Sequence, residues 1–279
     1  MHSEHNTTTT LIGPLNHREL QSVPEPSRRV DSRFPDLFFE PISQPLSSAQ
    51  LASTLDTIYK NLTEAEDLCE QADQTLMEGY LNNNHAPEHW TDVMRSYRKL
   101  LHEHHDLLLD CQHRFAPPAA RNLAKTIPAR MWEHAIQNLL DTCKLLSPRC
   151  PEGLEYMCSF IFIAYHMIAL LLETVPALEL HWLEQLGHLA NWRATIEPIH
   201  SEQRKTWLSI SESWYSRAVD LCPSTGRLYH HHAALVRSRS LQQLYYYGKC
   251  LICVEIFPKA RQSLHKITAL AKLNMKIFD

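Results

Sequence analysis

From Ser47 onward the apolar residues of this chain fall mostly three and four positions apart. Leu51, Leu55, Ile58, Tyr59, Leu62, Ala65, Leu68 and Leu76 form one stripe, the spacing of an amphipathic helix, and Ser48 stands where an N-cap is expected. Asn82 to Pro87 breaks the run. Trp90, Val93, Met94, Tyr97, Leu100, Leu101, His104, Leu107, Leu108 and Cys111 then resume the same period to about His113, which predicts an antiparallel helical hairpin. Pro117 and Pro118 end the second helix. Ile127-Pro128 opens a third, with the proline in the first turn where its missing N–H costs nothing, and with Ile136, Leu139, Leu140, Cys143 and Leu146 on one face.

The pattern then changes. Met157 to Leu172 is an almost unbroken apolar run, with Glu152 and Glu155 ahead of it as carboxylates that favour a helix N-terminus. Its 16 residues fall short of the roughly 20 that cross a bilayer, and Tyr165 and His166 interrupt it. A central helix buried on every side by its neighbours is therefore predicted, followed by a bend at Pro176 and a fifth helix from Trp182 to Ile196. Beyond Pro198, Trp207, Ile210, Trp214, Tyr215, Ala218, Val219 and Leu221 lead to Pro223, and Ile252 to Phe257 leads to Pro258, 35 residues later. That interval is close to the roughly 34-residue period of the tetratricopeptide repeat. About two repeats are expected, 182–223 and 224–258, with a last helix from Pro258 towards Met275. Because one repeat cannot bury its own face, both must lean on the helices before them. Residues 1–46, rich in Thr, Ser, Pro, His and Asn and without helical period, read as a disordered arm ahead of a bundle at 47–181 and repeats at 182–279.

Composition narrows the function. The 279 residues are 44% hydrophobic with only 6 Gly, which suits helices and argues against glycine-rich phosphate loops. A formal charge of −4 gives no general attraction to nucleic acid, so any such binding must use a local basic surface. The 8 Cys are scattered at unrelated spacings with no signal peptide ahead of them, which predicts reduced thiols in an intracellular protein, nuclear or cytoplasmic. Asn6-Thr-Thr and Asn61-Leu-Thr match the glycosylation pattern, but carry no weight in an intracellular chain.

Candidate chemistry is sparse. His102-Glu-His-His105 and His230-His-His232 place imidazoles at metal-ligand spacing, yet no fourth ligand is fixed from another element, so solvated or packed histidines are the better reading. Cys250-x-x-Cys253 lies late in a predicted helix rather than at a helix N-terminus, which makes these core thiols. No Gly-x-Ser-x-Gly, His-Glu-x-x-His or phosphate loop is present, and neither an enzyme nor a cofactor is expected. Successive helical residues point in different directions, so at most two of Tyr245, Tyr246 and Tyr247 can share a surface for stacking bases. Arg227, Arg237, Arg239, Lys249, Lys259 and Arg261 cluster along the repeats as a candidate basic groove for a peptide or RNA.

Several ordered motifs resemble one family: Ile127 to Ile136, Phe160 to Tyr165, Leu186-Gly187 with Arg193 to Glu197, Trp214 to Ala218, Ser224 to His231 and Leu241 to Tyr247. Across roughly 47–264 the chain is similar to the Est/Smg family, which holds the telomerase-associated Est protein and the Smg adaptors of nonsense-mediated mRNA decay, and it looks closest to fungal members. The resemblance implies a 14-3-3-like antiparallel helical bundle joined to tetratricopeptide repeats, used to bind phosphorylated partners and to scaffold ribonucleoprotein complexes. It also implies a phosphopeptide pocket between the third and fifth helices, in which Gln137, Asn191 and Trp192 stand where the family has lysine, arginine and tyrosine. Arg130 and Arg193 are the cations left to compensate. The expected function is a non-catalytic adaptor in mRNA surveillance or telomere maintenance with a weakened phosphopeptide pocket. The alternatives are a telomerase-associated component that binds RNA or single-stranded DNA through the basic repeat face, and a truncated regulatory paralogue, since the chain resembles the family's N-terminal module alone. Protein partners of decay or telomerase complexes are expected, with no membrane and no metal.

Overall fold

A computed structural model describes residues 48–82, 87–113, 116–148, 150, 152–236 and 240–275. The arm expected at 1–46 lies outside them, as do Arg237 and Arg239 of the basic groove. Regular structure among the described residues is helical, apart from one isolated parallel bridge between Thr225 and Glu255, so the chain is all-α as its periodicity predicts. The helices are α1 (Ser48–Leu81), α2 (Pro87–Cys111), α3 (Pro118–Ala124), α4 (Ile127–Arg130), α5 (Asn138–Leu146), α6 (Glu152–Thr174), α7 (Glu179–Ile196), α8 (Glu202–Leu221), α9 (Gly226–Leu235), α10 (Ser240–Ile252) and α11 (Ala260–Met275).

The predicted hairpin forms: α1 lays Leu51, Leu55, Leu62, Ala65, Cys69 and Leu76 against Trp90, Val93, Tyr97, Leu100 and Leu107 of α2 in one buried core. Trp90 fixes the turn end of that hairpin. Its ring stacks on Tyr156 of α6 at 5.0 Å between centroids, and its Nε1 donates to the Tyr80 hydroxyl at 3.0 Å. The same core takes Met157, Phe160, Ala164, Ile168 and Leu171 from α6 and Trp182, Leu186 and Leu189 from α7.

Two features depart from the sequence reading. The central helix holds Glu152 and Glu155 in its first turn as expected, and at 23 residues it is long and apolar enough to cross a bilayer by length and composition, yet it packs on α2, α5 and α7 in the main core. It is not, however, covered on every side. Ser159, Phe162, His166, Leu170 and Glu173 recur at three and four residue steps as an exposed stripe, with Phe162 65% exposed. The polar members of that stripe make one face compatible with water. The second departure is the third predicted helix. Pro118, read as a stop, is also the first residue of the short helix α3, and the helix opened by Ile127 passes through a π turn, Met131–Gln137, before continuing as α5.

In the C-terminal part α7 pairs with α8 and α9 with α10, while α9 packs on α8 and α11 on α10. Ser201 caps α8, its hydroxyl accepting from the Arg204 N–H at 3.1 Å. Two glycines permit the closest approaches. A Cβ on Gly187 would stand 2.3 Å from Tyr215 Cε1, and one on Gly226 would stand 2.5 Å from the Cys250 carbonyl oxygen, so neither position accepts a side chain without movement.

Candidate functional site

Helix α7 is buried along almost its whole middle, yet it carries His181, Glu184, Gln185 and His188, four polar residues at helical spacing that share one face. That face forms one wall of a cavity of about 700 Å³. The π turn supplies the opposite wall with Trp132, Glu133 and Gln137, and Arg227, His231 and Lys259 close the remainder from α9 and the turn before α11. Widened turns of this kind recur at functional sites.

Charge in the cavity is nearly balanced. Glu184, 6% exposed, accepts from Arg227 Nη2 at 2.8 Å on Oε2 and faces His231 Nε2 at 3.2 Å on Oε1. His188 Nδ1 lies 2.7 Å from the Tyr215 hydroxyl, and its ring centroid is 5.0 Å from that of Trp132 and 4.6 Å from that of His231. Burial pushes the His188 imidazole well below its ordinary pKa, and His231 and Arg227 act in the same sense. Burial lowers His181 too, against the opposing pull of Glu184. Both rings are therefore neutral at pH 7. Gln185 donates from Nε2 to the Pro128 carbonyl at 2.8 Å, which sets the amide so that Oε1 is the end left over. Among the described residues neither Gln185 Oε1 nor His181 Nδ1 has a hydrogen-bond partner, and each is shielded from water. A buried acceptor without a donor costs about 1–3 kcal/mol.

The pocket positions implied by the family resemblance do not all meet. Gln137 is on the cavity, its Oε1 accepting from Trp132 Nε1 at 2.9 Å. Asn191 and Trp192 lie one turn beyond His188 on α7 and are not part of the lining; Trp192 packs instead under Lys144, whose Nζ is 5.2 Å from the ring centroid. Neither Arg130 nor Arg193 lines the cavity. Arg130 is held by both oxygens of Glu66, at 2.7 and 2.6 Å, and by the Tyr59 hydroxyl at 3.0 Å, on the α1 side of the molecule. Arg193 is paired with Glu197 one turn along its own helix and lies over the Trp207 ring, centroid 5.6 Å away. Each guanidinium is thus already engaged, Arg130 by two residues of α1 and Arg193 by Glu197 and the Trp207 ring.

The basic groove separates as well. Arg227 and Lys259 face the cavity, whereas Lys249 sits 5.9 Å from the ring centroids of both Tyr229 and Tyr245, and Arg261 is exposed at the start of α11. The tyrosine run divides as helical geometry requires. Tyr247 is buried, Tyr246 stacks on His232 with centroids 5.0 Å apart, and Tyr245 is 59% exposed. Tyr245, Lys249 and Tyr229 thus make a cation flanked by two aromatic rings on the α9–α10 surface.

Of the first histidine cluster, His104 is in the core, His102 is exposed and His105 Nδ1 lies 3.0 Å from Asp106 Oδ1. Cys250 is buried in the last turn of α10, and burial pushes its thiol up to about 12. Trp132, Glu184, Gln185 and His188 are not marked as site residues by the sequence, and His231 is marked only as part of the His230–His232 cluster at metal-ligand spacing. The signal that marks four of the cavity residues is the polar series 181, 184, 185 and 188 inside an otherwise apolar helix.

Residues 211–270 match the family described as the Est1 DNA/RNA binding domain. That stretch includes Tyr229, Tyr245 and Lys249, and also Arg227, His231 and Lys259 of the cavity. EST/SMG-like protein 2 of Saccharomyces cerevisiae is 25% identical over 142 residues, which cover 50% of this chain and 11% of that protein. The chain thus matches about a tenth of that relative's length.

Proposed function

We propose that this chain, a member of the Est/Smg family, is a scaffold that binds single-stranded RNA or DNA through the α9–α10 surface within a telomerase-type or mRNA-decay assembly. The observation that carries the reading is Lys249 flanked by Tyr229 and Tyr245 inside the stretch that matches an Est1 DNA/RNA binding domain. Exposed aromatic faces offer stacking to any base, and a cation beside them neutralises the backbone phosphate, a combination that binds single strands with little sequence preference. No reaction is assigned to the chain. In this reading 47–181 is the 14-3-3-like bundle and 182–279 the repeats, with the arm at 1–46 appended, in a nuclear or cytoplasmic protein.

The adaptor half of the reading concerns protein partners. Glu133 and Glu184 beside Gln137 work against a phosphate dianion, so a partner docked here would be recognised by shape and neutral hydrogen bonds. The nucleic-acid reading is tested by a gel shift with a single-stranded oligonucleotide: Lys249→Glu is expected to abolish the shifted band in a folded protein, and an unchanged band would overturn the reading.

A further inference from the structure

We infer that the cavity between the π turn and α7 is a binding site for a single nucleobase that carries an exocyclic amino group, such as adenine or cytosine. The inference deepens the nucleic-acid reading above and rests on it. About 700 Å³ is within the range of small-molecule sites and exceeds what a nucleotide fills. Two aromatic rings line it, Trp132 and the neutral His188, with centroids 5.0 Å apart and planes tilted by 48°, so a base would stack on one ring and meet the edge of the other. Glu184 is already engaged by Arg227 and His231, which leaves Glu133, exposed on the opposite wall, as the carboxylate set against Lys259.

The hydrogen-bonding groups narrow the ligand further. Gln185 Oε1 can only accept, because Nε2 is committed to the Pro128 carbonyl, and it has no donor among the described residues. His181 Nδ1, on the same wall, is likewise without a partner, and as a neutral imidazole nitrogen it can accept or donate by choice of tautomer. An amino group next to a ring nitrogen, the edge that adenine and cytosine share, supplies the donor that Gln185 lacks and a complement to His181. Both atoms are shielded from water, so a base reaches them only if the lining side chains shift. Lys259, which lines the cavity from the turn before α11, is the cation assigned to the phosphate of the same nucleotide in this proposal.

Isothermal titration with AMP, N6,N6-dimethyl-AMP and ribose 5-phosphate tests this, with a single-stranded 12-mer titrated in parallel. AMP is expected to bind at least about tenfold more tightly than ribose 5-phosphate, and removing the amino donors in the dimethyl analogue is expected to cost about five- to tenfold, the worth of one hydrogen bond. Trp132→Ala, a change at the cavity's half-exposed wall, is expected to lose AMP binding with the far-ultraviolet circular dichroism unchanged; Gln185→Leu should abolish the preference for AMP over its dimethyl analogue. Equal binding of AMP and ribose 5-phosphate, or no binding of AMP, overturns the inference. If AMP fails while the 12-mer binds and depends on Lys249, the base pocket falls and the surface reading stands. If AMP binds and the 12-mer ignores Lys249, the surface reading falls instead.

Discussion

Gly187 of α7 lies beneath the ring of Tyr215 on α8, so close that a Cβ would come within 2.3 Å of the ring carbon Cε1. Tyr215 cannot easily move away. It is 2% exposed, and its hydroxyl is held 2.7 Å from His188 Nδ1, which in turn faces Trp132. The seam between the first repeat-like pair and the cavity is therefore built on the absence of one side chain.

Gly187→Ala is expected to destabilise the fold by about 2–3 kcal/mol, the upper part of the usual range for forcing extra atoms into a packed core. Chemical denaturation measures it. The double variant Gly187→Ala, Tyr215→Leu should cost clearly less than the sum of the two single changes, because the clash disappears with the ring. Additive costs would mean that the contact is not the source of the strain.

Asp73 on α1 carries a second testable tension. Its Oδ2 accepts from the Tyr97 hydroxyl at 2.6 Å, while Oδ1 is buried and has no partner among the described residues. Burial raises its pKa to about 6, and the Tyr97 hydrogen bond offsets only part of that. A carboxyl raised from an unfolded value near 4 binds its proton in the folded state first, so stability rises as pH falls from about 6 to about 4. At neutral pH the charged form costs about 1–3 kcal/mol. Asp73→Asn keeps the Tyr97 contact without the charge and is expected to stabilise the protein at pH 7 but not at pH 4. An asparagine variant no more stable at pH 7 would contradict this.

His104 titrates in the opposite sense. It is fully buried on α2, with Nδ1 2.8 Å from the Leu100 carbonyl and Nε2 unpaired among the described residues. Burial pushes it down to about 4, although the Leu100 hydrogen bond opposes the shift. The unfolded chain protonates near pH 6.5 and the folded one near 4, so stability is full above 6.5 and falls as pH drops through that window, by up to about 3 kcal/mol. His188, also lowered by burial, adds to the loss. His104→Leu should flatten the fall in urea midpoint between pH 6.5 and 4.5; an unchanged slope would place the acid sensitivity elsewhere.

How far the sequence carried the reading differs from element to element. Helices with a strong apolar stripe were legible almost to the residue: α1 begins at Ser48 and α2 ends at Cys111, because burial of that stripe is what the hairpin requires. The π turn was not legible, since an i to i+5 step leaves no mark in a stripe whose members Met131, Ala135 and Ile136 are buried either way. The candidate site was harder still. Resemblance alone groups Gln137, Asn191 and Trp192, and only Gln137 lies on the cavity, because the neighbours of all three are set by long-range packing that no local spacing records. Arg130 shows the same limit: its partner Glu66 is 64 residues away, and in sequence it looks like a spare cation.

The central claim is that single-stranded nucleic acid binds the Tyr229, Lys249 and Tyr245 surface, and its most direct test is fluorescence anisotropy of a labelled single-stranded RNA at several salt concentrations. The wild-type protein should bind with an affinity that falls linearly in log–log form as salt rises. Lys249→Ala should reduce that slope by about 0.7, one phosphate contact to a single strand. Tyr245→Ala should weaken binding by at least about fivefold at every salt concentration and leave the slope unchanged, because stacking carries no counterion. Binding by both folded variants with wild-type affinity and wild-type slope would contradict the account.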